Sequence, residues 1–167
     1  MIANFGRFDL LVNNAGSHRA RSFEEILPED WDEVFAVNVR GAFLMTQACA
    51  SELRRTRGRV INIGSLGGIR PWATHAHYCA SKAALHMLTQ ASSKALAPNV
   101  TVNCVAPGMI DQGEQERIEM LERFADKTPM QRNGTPTDVA QAVLFFATCP
   151  DFITGQILTV DGGLALA

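Results

Sequence analysis

The chain has 167 residues, 47% hydrophobic and 19% charged, which suits one ordinary globular domain, here residues 1–167 as a single unit. Its 15 Lys and Arg against 17 Asp and Glu leave a net charge of −2, so there is no electrostatic case for a nucleic-acid or anionic-membrane partner and a small-molecule ligand fits better. The longest apolar runs, Val139 to Ala147 and Gly41 to Met45, stop well short of the ~20 residues of a membrane span.

The first residues, Met1 to Arg7, lack the basic stretch, apolar block and small-residue site of a secretory signal, and a cytoplasmic location is the expectation. Phe8 to Val12 then forms a short apolar run ending at Asn13-Asn14-Ala15-Gly16, the pattern of a buried parallel strand entering a tight turn. Pro28 suits a first helical turn, and Trp31, Val34, Phe35, Val39, Phe43 and Leu44 recur at helical spacing, which predicts one long helix to Leu53. Gly58 closes it, and Arg59 to Gly64 is a second, β-branched strand. After the loop holding Gly67 and Gly68, Tyr78 to Leu96 reads as an alanine-rich helix closed by Pro98, and Val100 to Val105 alternates like a third strand. Glu114 to Lys127 is a charged amphipathic helix with the composition of a lid. Thr135-Pro136-Thr137-Asp138 opens another helix, and Gln156 to Val160 is the last strand. Strands alternating with helices predict an α/β fold with a parallel sheet covered on both faces. The four cysteines, Cys49, Cys79, Cys104 and Cys149, form no C-x-x-C pair and are expected as small hydrophobes in helices or strands.

Tyr78 and Lys82 are four residues apart on one helix, which puts phenol and ammonium on the same face. A phenol with a pKa near ~10 is a poor acid or base at neutral pH. A unit positive charge at ~4 Å in a medium of effective dielectric ~20 favours the phenolate by ~4 kcal/mol, enough to bring it into range. Ser65 stands where the second strand ends, the carboxyl edge at which open parallel sheets bind ligands, and Asn13, Asn14, Pro107 and Gly108 reach that edge too. A serine hydroxyl there can donate to an oxygen that gains charge during reaction.

The stretches Asn13-Asn14-Ala15-Gly16, Asn38-Val39-Arg40-Gly41, Ile61-Asn62-Ile63-Gly64-Ser65, Tyr78-x-x-x-Lys82, Pro107-Gly108 and Val160-Asp161-Gly162-Gly163, in this order, resemble the short-chain dehydrogenase/reductases. The resemblance implies a catalytic tetrad of Asn38, Ser65, Tyr78 and Lys82. Tyr78 would exchange a proton with the substrate oxygen, Ser65 would hydrogen-bond that oxygen, Lys82 would lower the tyrosine pKa and hold the nicotinamide ribose, and Asn38 would anchor a relaying water. It further implies a cofactor, NAD or NADP, held by Asn13, Ala15, Gly16, Tyr78, Lys82, Pro107, Gly108 and Ile110, with Asn13, Ala15 and Gly16 beneath the adenosine part. Where many members carry a threonine, this chain has the larger amide of Gln112. Of the four histidines, His18, His75, His77 and His86, the pair His75-x-His77 has no nearby acid or cysteine at zinc-like spacing, so no metal is expected and His75 and His77 are expected to border the substrate cleft.

A dinucleotide fold needs a glycine-rich turn after its first strand to bind the pyrophosphate, and neither G-x-G-x-x-G nor G-x-x-x-G-x-G occurs in the sequence. At ~30 residues per βαβ unit, family members would carry about 70 more residues upstream, among them the position that selects NAD or NADP. The expected architecture is therefore a partial Rossmann-like doubly wound parallel sheet missing its first strands, with Phe8 to Val12 as an edge awaiting a neighbour. The expected activity is NAD(P)(H)-dependent oxidoreduction of a carbonyl or secondary alcohol, a 3-oxoacyl thioester or similar small carbonyl, by a homo-oligomer, dimer or tetramer. The alternatives are a truncated non-catalytic paralogue serving as a structural or interaction subunit, and a pteridine reductase-like enzyme suggested by the short join from Leu96 to Val100.

Overall fold

The computed structural model describes residues 5–113 and 117–167. Four strands, β1 (Leu10–Asn13), β2 (Arg59–Ile63), β3 (Thr101–Pro107) and β4 (Ile157–Val160), pair in chain order as one parallel sheet. Helices make the crossovers: α1 (Pro28–Phe35) continues through a π-helical turn (Ala36–Gly41) into α2 (Ala42–Thr56), α3 (Ala76–Leu96) joins β2 to β3, and α4 (Ile118–Lys127) and α5 (Pro136–Thr148) lie between β3 and β4. The expected start of α4, Glu114 to Glu116, lies outside the described residues.

The sheet buries apolar side chains on both faces. Leu11, Val60 and Val102 pack with Leu53, Leu96 and Val100 on one side, and Ile61 and Val105 pack with Ala142, Phe146 and Cys149 on the other. Each fully buried aliphatic of this kind contributes about 1.5–3 kcal/mol before the entropy of ordering the chain is counted. The half-buried alternation expected for the third strand is not found. Six of the seven β3 residues are buried, and the amide of Asn103 is satisfied internally: its Nδ2 donates to the Ile153 carbonyl at 2.9 Å and its Oδ1 accepts the Gln156 N–H at 3.0 Å.

A polar thread ties the layers together near the strand ends. Asn13 Nδ2 donates to Asn62 Oδ1 (2.8 Å) and to Thr46 Oγ1 (3.2 Å), and Asn62 Nδ2 donates to Thr89 Oγ1 (2.8 Å), so α2, β1, β2 and α3 are linked by side chains alone. Residue 58 must be glycine: α2 ends on Arg57 in the left-handed region, and a Cβ at Gly58 would stand 2.7 Å from both the Asp9 carbonyl and Leu53 Cδ2. Thr135 caps α5 as the sequence predicts, accepting the Asp138 N–H at 3.3 Å while Asp138 accepts the Thr135 N–H at 2.8 Å.

The single long helix predicted from Trp31 to Leu53 is instead two helices joined by the π-helical turn. Asn38 lies in that turn and is only 2% exposed. Its amide makes three bonds to groups outside the helix, which offset the weaker helical ladder of a widened turn.

Candidate active site

One face of α3 lies along the carboxyl end of β2 and builds the site step by step. Thr89 meets Asn62 at 2.8 Å, His86 Nε2 accepts the Ser65 N–H at 3.4 Å, and Lys82 Nζ donates to the Ile63 carbonyl at 2.8 Å. Tyr78 begins this row, with Lys82 Nζ 5.7 Å from the centre of its ring. Residues three to four apart on a helix share a face, so this arrangement follows from the spacing of Tyr78, Lys82, His86 and Thr89. Ser65 is extended (φ −169°, ψ 153°) at the start of a single turn of 3₁₀ helix, and its Oγ accepts the Gly67 N–H at 3.0 Å. With its acceptor side engaged, the hydroxyl keeps its own proton for donation.

The electrostatics differ from the sequence expectation in one respect. Burial pushes the Tyr78 phenol above its ordinary pKa, while the Ser65 hydroxyl pulls it the other way. The Lys82 ammonium lies over the Tyr78 ring, 5.7 Å from its centre, and donates to the Ile63 carbonyl. Its own burial lowers its pKa to about 8. Cys104, beneath Lys82, is pushed by burial to about 11 and stays a thiol.

Asn38 clamps the loop after β1. Its Oδ1 accepts the Ser17 N–H (2.7 Å), and its Nδ2 donates to the Ser17 carbonyl (2.9 Å) and to Ser81 Oγ (2.9 Å), which in turn donates to the Tyr78 carbonyl (2.7 Å). Both amide donors are thus committed within the protein. Beside this clamp Gly16 leaves a hollow: a Cβ there would stand 3.4 Å from Asn38 Oδ1 and 3.6 Å from Lys82 Nζ.

These segments converge on an open cleft of about 780 Å³. Ser65, Tyr78 and Lys82 line it, as do Gly16, Pro107, Gly108 and Ile110 and the unusual Gln112. Asn38 stands behind the wall rather than in it. Asn13 does not line the cleft, because its amide is spent on Asn62 and Thr46, and Ala15 does not line it either.

The histidines divide. His75 stacks on His18 with ring centres 4.6 Å apart, and His18 meets the edge of Tyr78 at 4.8 Å. Burial lowers the pKa of His18 and takes that of His75 to about 4, so both rings are neutral at pH 7. His77 was expected at the cleft, but it is fully buried with neither ring nitrogen hydrogen-bonded. A step of about 100° per residue on α3 separates it from Tyr78, which does line the cleft. Trp72 and His18 line the cleft and were not singled out from the sequence for that role. The signal was available in Trp72, a large ring in a loop only six residues before Tyr78. Among the described residues no helix is long and apolar enough to cross a membrane.

Comparison with known proteins accords with this geometry. The family model described as enoyl-(acyl carrier protein) reductase matches residues 1–165. The chain is 37% identical over 171 residues to the 3-oxoacyl-[acyl-carrier-protein] reductase of Thermotoga maritima, covering 99% of this chain and 70% of that protein. It is 40% identical over 168 residues to the corresponding reductase of Synechocystis, covering 97% and 67%. Among solved structures it is similar to a gluconate 5-dehydrogenase from Burkholderia cenocepacia in complex with NADP and tartrate, with a TM-score of 0.92, 33% identity, and 99% of this chain and 68% of that one covered. An apo enzyme from Clostridium thermocellum matches with a TM-score of 0.89 and 32% identity, covering 99% and 66%. The chain thus spans about two thirds of the length of the relatives it matches, from 65% to 70% for the first curated ones. The parallel sheet, the converging strand ends and these matches place the chain in the short-chain dehydrogenase/reductase family.

Proposed function

We propose that the protein containing this chain is an NAD(P)(H)-dependent oxidoreductase that interconverts a small carbonyl compound and its secondary alcohol, with Tyr78, Ser65 and Lys82 handling the proton. The observation that carries the reading is the convergence of these three side chains on one cleft, with the Ser65 hydroxyl braced by the Gly67 amide. Tyr78 gives its phenolic proton to the substrate oxygen in reduction and takes it back in oxidation. Ser65 donates a hydrogen bond to that oxygen as charge builds on it. Lys82 keeps a cation beside the phenol and holds the ribose, while Asn38 positions the Ser17 loop and, through Ser81, the backbone at Tyr78.

The residues present suit the nicotinamide end of a dinucleotide. The hollow at Gly16, bounded by Lys82 Nζ and Asn38 Oδ1, is space that a side chain would fill, and the Pro107 to Ile110 segment forms the facing wall. When bound, the nicotinamide supplies or accepts the hydride at the carbonyl carbon. NADP is named in the gluconate 5-dehydrogenase complex, and 3-oxoacyl reductases are among the relatives, which favours a 3-oxoacyl thioester or a similar carbonyl as substrate. Exposed Phe43, Leu44 and Met45 on α2 and Met87 on α3 favour a homo-oligomer.

The test is a fluorescence titration with NADH and NADPH, followed by carbonyl reduction assays on the wild type and Tyr78→Phe. Loss of about 10²–10⁴-fold in kcat with cofactor affinity kept is the expected result. Unchanged turnover in Tyr78→Phe would remove the proton-transfer role.

A further inference from the structure

One buried titratable group takes no part in the chemistry above. His86 lies one helical turn after Lys82 and two after Tyr78, on the face of α3 that meets β2. Its Nε2 accepts the backbone N–H of Ser65 at 3.4 Å, and both groups are buried. Two glycines make room for the ring. A Cβ on Gly68 would stand 2.6 Å from His86 Cε1, and a Cβ on Gly64 would overlap Nε2. The imidazole therefore fills the space beneath both ends of the short turn that carries Ser65. That turn is closed from within by the Gly67 N–H to Ser65 Oγ and the Gly68 N–H to the Ser65 carbonyl, each 3.0 Å.

A nitrogen that accepts a hydrogen bond carries no proton, so this contact requires the neutral ring with its proton on Nδ1. The charged and titratable groups about the ring favour that form. From α3 itself Lys82 presents a cation one turn away. From β3 the Cys104 thiol packs on Gly64 against the same space, and from the β2 end the Ser65 amide faces the ring. Burial first, and the Lys82 charge second, lower the His86 pKa, while Cys104 stays protonated.

We infer that His86 is a positioning residue for the reaction: by holding the Ser65 N–H from below, it fixes the serine whose hydroxyl meets the substrate oxygen. The inference rests on the proposed function only in giving Ser65 that task. The hydrogen bond itself is a property of the folded chain. Ser65 is fixed at two points, its N–H by His86 and its Oγ by Gly67, so the position of its Oγ is set before any substrate arrives.

Two measurements test this. Long-range ¹H–¹⁵N NMR of the chain itself reads the ring directly. The expected result is the Nδ1–H tautomer of His86, still neutral at pH 6, whereas a proton on Nε2, or titration at the ordinary histidine value, overturns the inference whether or not the chain turns over. Kinetics then read the consequence. In His86→Gln the side-chain carbonyl takes the place of Nε2, and kcat is expected to stay within about threefold; in His86→Leu it is expected to fall about 10-fold or more, with the cofactor KM unchanged. In a Ser65→Ala background, His86→Leu should cost nothing further. Equal losses in the Gln and Leu variants, or losses that add to that of Ser65→Ala, overturn the positioning role. If Ser65→Ala itself leaves turnover intact, the proposed function fails while the tautomer measurement still decides the contact.

Discussion

The two walls of the cleft are built differently. Along β2 and α3 the polar groups are buried and paired: Lys82, Asn62, Thr89 and His86 each meet a defined partner, and Asn38 makes three bonds with 2% exposure. The opposite wall stands on loops, where His18, Trp72 and His75 meet one another and the Tyr78 ring through ring contacts, and Gly16 leaves a hollow beside Asn38 and Lys82. In the packed wall a displaced side chain leaves an unsatisfied partner. The loop wall can change with little cost to the fold.

Substituting on each wall in turn tests that contrast. Asn38→Leu strips partners from the Ser17 amide and from Ser81, and is expected to cost about 1–3 kcal/mol in urea unfolding. Gly16→Ala, whose Cβ would meet its nearest neighbour at an ordinary 3.4 Å, is expected to stay within about 0.5 kcal/mol of wild type while narrowing the hollow for ligand. A comparable loss in both would erase the distinction between the walls.

A smaller effect, expected only on the buried wall, lies in the pH dependence of stability. Lys82 falls from its ordinary 10.5 to about 8 on folding, so between these values the unfolded chain holds a proton that the folded chain has released. Stability therefore rises with pH from about 8 to 10.5; below 8 both states are protonated and the cost of burying the cation is present in full. Cys104 opposes this from about 9 to 11, because its thiol ionises first in the unfolded chain. The difference between wild type and Lys82→Met isolates the lysine. Unfolding free energies that run parallel across this range would show that Lys82 is not buried as a cation.

Much of this was legible beforehand. Strand and helix periodicity located all four strands to within a few residues, since β-branched runs and capping signals act locally; Thr135 and Asp138 form the predicted cap. Tyr78, Lys82 and Ser65 were recognisable because four-residue spacing and a strand end are local facts, and His86 belongs to the same row. The π-helical turn was not legible, because what stabilises it is Asn38 reaching Ser17 and Ser81, 21 and 43 residues away in the chain.

The sequence by itself determined the parallel α/β architecture, the family and the side chains able to move a proton, because periodicity, turn chemistry and residue type are written along the chain. Only the tertiary structure decided their environments. It turned Asn13 inward to a polar thread, buried His77, set Lys82 over the Tyr78 ring, raised the phenol pKa by burial, and placed His86 beneath Ser65. Burial and hydrogen-bond partnership depend on residues distant in sequence, and they decide which of these side chains is held, and in which protonation state.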